Sequence, residues 1–178
     1  IYDLIPDKFR YMRSAMLLAL ITGQRESDIS NMKFSDIRDD YLHVIQIKTG
    51  MRLAFPLALR CDDLGMSLRE VVNICRDNIV SQYLVHYTKN TSQSQRGGKV
   101  SANTMSSTFK KLRDISGIEC NEGRTPVTFH EIRSLAERLY KKQGLDPKQI
   151  LGHKSQRQTD RYDDIRDKDW IKITYKSG

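Results

Sequence analysis

The sequence predicts a mainly α-helical domain with one small antiparallel β-sheet, an α+β fold. Three observations predict it. Two runs, YLHVIQI (41–47) and MRLAFPL (51–57), are rich in β-branched and aromatic residues and flank Lys48-Thr49-Gly50, a turn whose glycine takes a positive φ. Two Ser/Thr-x-x-Glu boxes, at Ser67 to Glu70 and Thr128 to Glu131, each open a helical pattern. Elsewhere apolar residues recur at helical spacing, with no internal repeat.

Taken in order, a first helix is expected over 7–21, with Phe9, Met12, Met16, Leu17 and Leu20 as its apolar stripe and Thr22-Gly23 as its stop. A short helix follows over 26–32, then the hairpin. The box at Ser67 starts a helix to about residue 78. TKNTSQSQRGGK (88–99) has the composition of a mobile loop. A helix over 102–116 turns Met105, Phe109 and Leu112 inward and Lys110, Lys111 and Arg113 largely outward. The Thr128 box opens a helix to about residue 142, Asp146-Pro147 caps another, and Gly152 stops it. Trp170 to Tyr175 alternates like a strand, which must pair on this domain or on a neighbour.

With 178 residues, 38% hydrophobic and 29% charged, the chain reads as a single globular domain, residues 1–178, with a tail over 169–178. The longest apolar run, Ala15 to Ile21, is far below the roughly twenty residues of a membrane span, and the N-terminus lacks a signal-peptide layout. No membrane partner is expected, and the cytoplasm is the expected compartment. Three scattered cysteines, Cys61, Cys75 and Cys120, form no metal cage and suit a reducing environment.

The net charge is +8, and its distribution is uneven: from Asn78 to Arg113 there is no acidic residue, while Lys89, Arg96, Lys99, Lys110, Lys111 and Arg113 all fall in that stretch. Neutral surfaces intersperse acids with bases, so these six side chains are expected to contact nucleic-acid phosphates rather than form a merely solvated face.

The chemistry concentrates in separated segments. In TFHEIRSL, His130 and Arg133 lie three residues apart, on one face of the helix that Thr128 opens, where free N–H groups favour an anion. A zinc-protease HExxH is excluded because Ser134 stands at the fifth position. Alone, this pair reads as an ordinary surface His and Arg. TGQRESDI adds Arg25, which could otherwise pair with Asp28 on the surface; with Arg133 it makes two planar guanidiniums able to clamp one phosphodiester. Lys48 caps the hairpin turn, LGHKS puts His153 after a helix-stopping glycine, and Tyr162 follows nine residues later in the polar stretch QRQTDRYDD.

Together TGQRESDI, the Lys48 hairpin, HEIR, LGHKS and the tyrosine beyond it resemble the tyrosine recombinases, and among them the integrases of lambdoid phages. The order and spacing agree over nearly the whole chain; Ile132 stands where Leu is more usual. The resemblance implies the tyrosine recombinase catalytic-domain fold and site-specific recombination in phage DNA integration and excision. It implies that Arg25 and Arg133 hold the scissile phosphate, that His130 assists proton transfer, and that His153 hydrogen-bonds a phosphate oxygen. Lys48 would protonate the leaving 5′ oxygen, and Tyr162 would attack phosphorus to give a 3′-phosphotyrosine. No cofactor and no metal are implied. The implied partners are double-stranded DNA at attachment sites, three further copies in a homotetramer that exchanges tails (a monomer when isolated), and accessory DNA-bending proteins. N-terminal arm-binding and core-binding domains are expected in addition to this chain.

The chemistry of the residues agrees. About one phenol in a thousand is ionised at neutral pH, so a tyrosine nucleophile needs neighbouring cations and a base. The segments hold no carboxylate cluster of the kind a two-metal nuclease uses. A type IB topoisomerase, with a similar residue set, and a non-catalytic DNA-binding prophage remnant are the alternatives. The LGHKS-to-tyrosine step favours the recombinase over the first, and retention of all six positions favours it over the second.

Overall fold

Helix α1, Tyr11–Thr22, is buried on nearly every side: Tyr11, Met12, Ala15, Leu17, Leu18, Ala19 and Ile21 are all in the core. The single stripe expected from the sequence is therefore too narrow, because three later helices, α3 (Leu68–Cys75), α4 (Ala102–Ser116) and α5 (Glu131–Lys142), all pack around this helix. Phe9 belongs to a separate 3₁₀ turn, Asp7–Phe9, that precedes it. The computed structural model describes residues 1–92, 94–117, 125–152 and 170–175.

After α1 comes the one-turn helix α2, Glu26–Ile29, shorter than expected. Strands β1 (Ile37–Arg38), β2 (Tyr41–Ile45) and β3 (Arg52–Pro56) form an antiparallel meander in which Leu42 faces Phe55 and Val44 faces Leu53. A two-stranded ribbon of β4 (Arg60–Cys61) and β5 (Met66–Ser67), too short to show a pattern in sequence, leads into α3, Leu68–Cys75. The Ser67 box forms as expected: the Glu70 N–H donates to Ser67 Oγ at 3.3 Å and the Ser67 N–H to the Glu70 carboxylate at 2.7 Å.

The segment between α3 and α4 is irregular but tied down. Leu84 and Val85 are buried, the Leu84 N–H reaches Met32 O, and Gly97 and Tyr87 are joined through Gly97 N–H and Tyr87 O at 2.7 Å. Helix α4, Ala102–Ser116, has the expected bounds, with Ser101 Oγ accepting from Thr104 N–H and Gly117 ending it at φ 66°. Met105, Phe109 and Leu112 face the core, joined by Thr108, whose hydroxyl pairs with Tyr11 OH at 3.0 Å. Helix α5 is Glu131–Lys142; α6 is Pro147–Leu151, capped by Asp146 and stopped by Gly152 at φ 63°.

The last strand, β6 (Ile171–Lys172), lies parallel to β3, with Leu53 opposite Ile171 and Ala54 opposite Lys172. The sheet, ordered β1-β2-β3-β6, is therefore mixed and not purely antiparallel. The tail returns to the same sheet after the intervening helices and enters in the direction of β3, which a hairpin cannot do. Cys61 and Cys75 are free and buried; Cys120 lies outside the described residues.

Candidate active site

The C-terminal end of α1 is built to place an arginine. Thr22 Oγ1 donates to Leu18 O at 2.6 Å and Gly23 adopts φ 64°, turning the chain out of the helix. The left-handed turn favours glycine here, and a Cβ on Gly23 would lie 2.6 Å from Leu151 Cδ2, so the Leu151 side chain would also have to shift. Arg25 follows at the N-cap of α2.

Arg133, from the first turn of α5, reaches back across this turn. Its guanidinium donates through Nη1 to Gly23 O at 2.5 Å and through Nη2 to Leu151 O at 2.8 Å, and the residue is 6% exposed. Burial first, and then the Arg25 guanidinium beside it, push Arg133 down to about 10. It remains cationic at neutral pH. Arg25 Nη1 is buried and has no hydrogen-bond partner among the described residues. Two like charges held together, one with an unsatisfied buried donor, make a seat for an anion.

Asp28 is the counter-charge, and it is not the surface partner that the sequence suggested. It is 2% exposed, stands 4.0 Å from Arg25 Nη1, and accepts the Arg25 N–H at 3.4 Å and the Ile47 N–H at 2.8 Å. Ile47 precedes Lys48, so one carboxylate ties the arginine segment to the hairpin tip. Lys48 is exposed at that tip, where Gly50 N–H to Gln46 O at 2.8 Å closes the turn with Gly50 at φ 67°.

The start of α5 departs from expectation. Thr128 makes no side-chain cap; His130 occupies the boundary in helical geometry. The N–H groups of Glu131, Ile132 and Arg133 already donate to the carbonyls of Thr128, Phe129 and His130. These tight i to i−3 turns leave none of those three N–H groups free for an anion. His130 is exposed and Arg133 buried, so the two expected partners occupy different environments. His153 and Tyr162 lie outside the described residues, although Gly152, immediately before His153, is fixed against Gln46 and Leu53.

Two further residues were missed in the sequence. Gln24 is 1% and Gln46 0% exposed, and their amides are joined by a 2.7 Å bond from Gln46 Nε2 to Gln24 Oε1. The signal was there: two glutamines inside otherwise apolar or motif-bearing runs, TGQR and VIQIKTG.

Of the six basic residues expected on DNA, Lys89, Arg96, Lys99, Lys110 and Lys111 are exposed. Lys99 Nζ donates to Asn31 Oδ1 at 2.6 Å, and Arg96 Nη2 reaches Asn78 O at 3.4 Å. Arg113 is engaged within the fold: it pairs with Asp114 at 2.7 Å and donates to Val127 O at 2.9 Å.

The sequence matches the phage integrase family over residues 5–169. It is 58% identical over 173 residues to the prophage integrase IntE of Escherichia coli K12, a match covering 97% of this chain and 46% of that protein. Its fold is similar to the lambda integrase catalytic core, with a TM-score of 0.77 and 38% identity over 93% of this chain and 88% of that one. It is also similar to lambda integrase in a tetramer bound to a Holliday junction, with a TM-score of 0.74 and 37% identity over 93% of this chain and 46% of that one. The chain spans about half the length of the curated relatives it matches. A match running from before α1 to the residue preceding Trp170, joined to the same helix-and-sheet framework, settles the family: the chain belongs to the phage integrases.

Proposed function

We propose that this chain is the catalytic part of an enzyme that breaks and rejoins DNA at specific sites, integrating and excising phage DNA through a 3′-phosphotyrosine intermediate. The observation that carries the reading is the buried Nη1 of Arg25, without a hydrogen-bond partner among the described residues, in the field of Arg133. A non-bridging phosphate oxygen satisfies that donor and offsets both charges, most strongly as negative charge builds on the phosphorane. The Tyr162 phenol oxygen bonds to phosphorus as the P–O5′ bond breaks. His130 assists removal of the phenol proton, and Lys48 gives a proton to the leaving 5′ oxygen. His153 donates to a phosphate oxygen. Attack by another strand's 5′ hydroxyl reverses the step, so bond energy is conserved without ATP.

Lys89, Arg96, Lys99, Lys110 and Lys111 contact flanking phosphates on double-stranded attachment-site DNA, with Arg113 bracing the end of α4 beside them. Four protomers assemble on two duplexes and exchange tails, with accessory bending proteins shaping the DNA in the host cytoplasm. The tetramer of lambda integrase on a Holliday junction supports this arrangement.

The test incubates the chain with supercoiled plasmid in EDTA, quenches with detergent, and scores relaxation and protein covalently attached to DNA. Both are expected in wild type and both vanish in Tyr162→Phe. An adduct that persists in the variant, or no adduct in wild type, overturns the reading.

A further inference from the structure

Helix α6 ends in two carbonyls, Ile150 and Leu151, that no helical N–H can reach. Ile150 O accepts from Gln24 Nε2 at 3.0 Å; Leu151 O accepts from both Gln46 Nε2 at 2.9 Å and Arg133 Nη2 at 2.8 Å. The remaining amide atoms are also used. Gln24 Nε2 donates its second hydrogen to Thr22 O at 2.9 Å, Gln46 Nε2 donates to Gln24 Oε1 at 2.7 Å, and Gln46 Oε1 accepts from Thr49 Oγ1 at 2.5 Å. All four amide hydrogens are matched, so each ring of contacts has one orientation and no alternative.

Three segments meet in this network. Gln24 directly precedes Arg25; Gln46 and Thr49 bracket Lys48; Leu151 holds Arg133 and lies two residues before His153. Gln46 also closes the turn under Lys48 through its own backbone, with its N–H on Met51 O at 2.9 Å and its carbonyl accepting from Gly50. Lys48 itself is exposed and makes no hydrogen bond or ion pair among the described residues, so nothing on the lysine fixes it; its position is inherited from the turn. A hairpin tip held only by its backbone would pivot about the strand ends. Here its side chains are bolted to the same helix terminus that holds the phosphate-binding arginine.

We propose that the buried Gln24–Gln46 amide pair is a positioning strut that sets the Lys48 turn relative to the Arg25–Arg133 pair, and that Gln46 acts on the chemical step through Lys48. The inference rests on the function proposed above. Removing the strut leaves the arginines on their other anchors and the hairpin tip on the Asp28–Ile47 bond alone, so the general acid can drift. A displacement of about 1 Å lowers a rate by on the order of a hundredfold.

The experiment follows single-turnover adduct formation on supercoiled plasmid with wild type, Gln46→Met, Thr49→Val, Lys48→Ala and the two doubles with Lys48→Ala, alongside Tyr162→Phe. Gln46→Met keeps the side-chain volume and removes the donors; Thr49→Val removes the hydroxyl bond at the tip without entering the core. Circular dichroism melts and filter binding to the same plasmid follow folding and affinity. Expected is a roughly hundredfold slower adduct for Gln46→Met and a smaller loss for Thr49→Val, with plasmid affinity within about twofold. In the Lys48→Ala background either change should cost less than about threefold, because the group it positions is already gone. Equal fold losses in both backgrounds, for either variant, overturn the strut, since a general structural defect ignores Lys48. If wild type forms no adduct, or Tyr162→Phe forms one, the proposed function fails instead, and the inference with it.

Discussion

Asp28 accepts the backbone N–H of Ile47 at 2.8 Å while its other oxygen faces the Arg25 guanidinium at 4.0 Å. One buried carboxylate thus neutralises the arginine and anchors the strand end that leads to Lys48. The two roles separate by substitution. Asp28→Asn keeps an acceptor for Ile47 but removes the charge, whereas Asp28→Ala removes both and leaves Arg25 beside Arg133 uncompensated. Only the carboxylate is fully buried, with the arginine side chain 21% exposed, so the cost falls below the roughly 3–5 kcal/mol of breaking a wholly buried pair. The unsatisfied Ile47 donor costs about 1–3 kcal/mol. Chemical denaturation should show Asp28→Ala as the less stable of the two, and adduct formation should fall in both. An Asp28→Ala variant as stable as wild type would mean that the carboxylate is not the counter-charge described.

The Arg25–Arg133 pair makes a second expectation, for ligand-free protein. Folded Arg133 binds its proton less tightly than an ordinary guanidinium, being lowered to about 10 by burial and by the Arg25 charge. Its charged form therefore penalises the folded state at every pH below that value, including neutral pH. A bound anion offsets the penalty, so inorganic phosphate should raise the thermal midpoint, by the equivalent of about 2.7 kcal/mol when phosphate is a hundred times its Kd. Arg25→Ala should abolish the response. An equal shift in Arg25→Ala would show that the anion binds elsewhere.

How much of this was legible in the sequence depends on the range of the forces involved. Local chemistry was readable: Ser67 with Glu70, the glycines after α1 and α6, Asp146-Pro147 and the Lys48 turn all stand where short-range rules put them. Thr128 shows the limit of those rules, since its box residues are present yet the chain uses a run of tight turns instead. Contacts between distant segments were not readable. Gln24 and Gln46 look like surface amides until α6 is brought against them, and the parallel direction of β6 depends on the path of the chain between α6 and the tail. Asp28 was visible, but only as an alternative surface partner for Arg25, because sequence gives its spacing from Arg25 and not its burial.

Gly23 allows a test of whether its role is conformational alone. Gly144, at φ 79°, has open space where a Cβ would go, whereas a Cβ at Gly23 meets Leu151 Cδ2 at 2.6 Å. Alanine in a left-handed conformation costs about 1–2 kcal/mol. Gly144→Ala should lose that much in urea denaturation and keep its cleavage rate. Gly23→Ala should lose more, because the buried Leu151 side chain, 1% exposed, must also shift to admit the methyl group. Equal losses at the two sites would reduce Gly23 to a simple helix stop.

The basic stretch separates into free and engaged cations. Lys110 and Lys111 are exposed on α4, whereas Arg113 pairs with Asp114 and Val127 O. Each phosphate contact contributes about 0.9 to the slope of log affinity against log salt. Lys110→Ala with Lys111→Ala should flatten that slope by about two on duplex DNA. Arg113→Ala should leave the slope nearly unchanged and lower the melting temperature. A slope that ignores both lysines would remove α4 from the DNA interface.

The tail is held on its own sheet by a short ladder, by Ile173 buried in the core at 3% exposure, by Lys172 over the Tyr41 ring, and by Trp170. Among the described residues Leu53–Ile171 and Ala54–Lys172 pair, with a further bond from Ile173 N–H to Ala54 O. Trp170 adds an edge-on contact with His43 at 4.6 Å and sits against the Arg38 and Arg52 guanidiniums at 5.3 and 5.9 Å. Cation–π contacts at such partly exposed positions contribute about 0.5–1 kcal/mol each, comparable to the few backbone bonds of the strand. Trp170→Ala should therefore loosen the tail's short ladder, with Ile173 still in the core and the rest of the domain folded. Hydrogen exchange would report this as lost protection confined to 171–173 and the facing residues of β3. Cleavage should change with it, since the tail follows Tyr162 directly in the chain. Unchanged protection in Trp170→Ala would show that the strand, and not the ring, holds the tail in place.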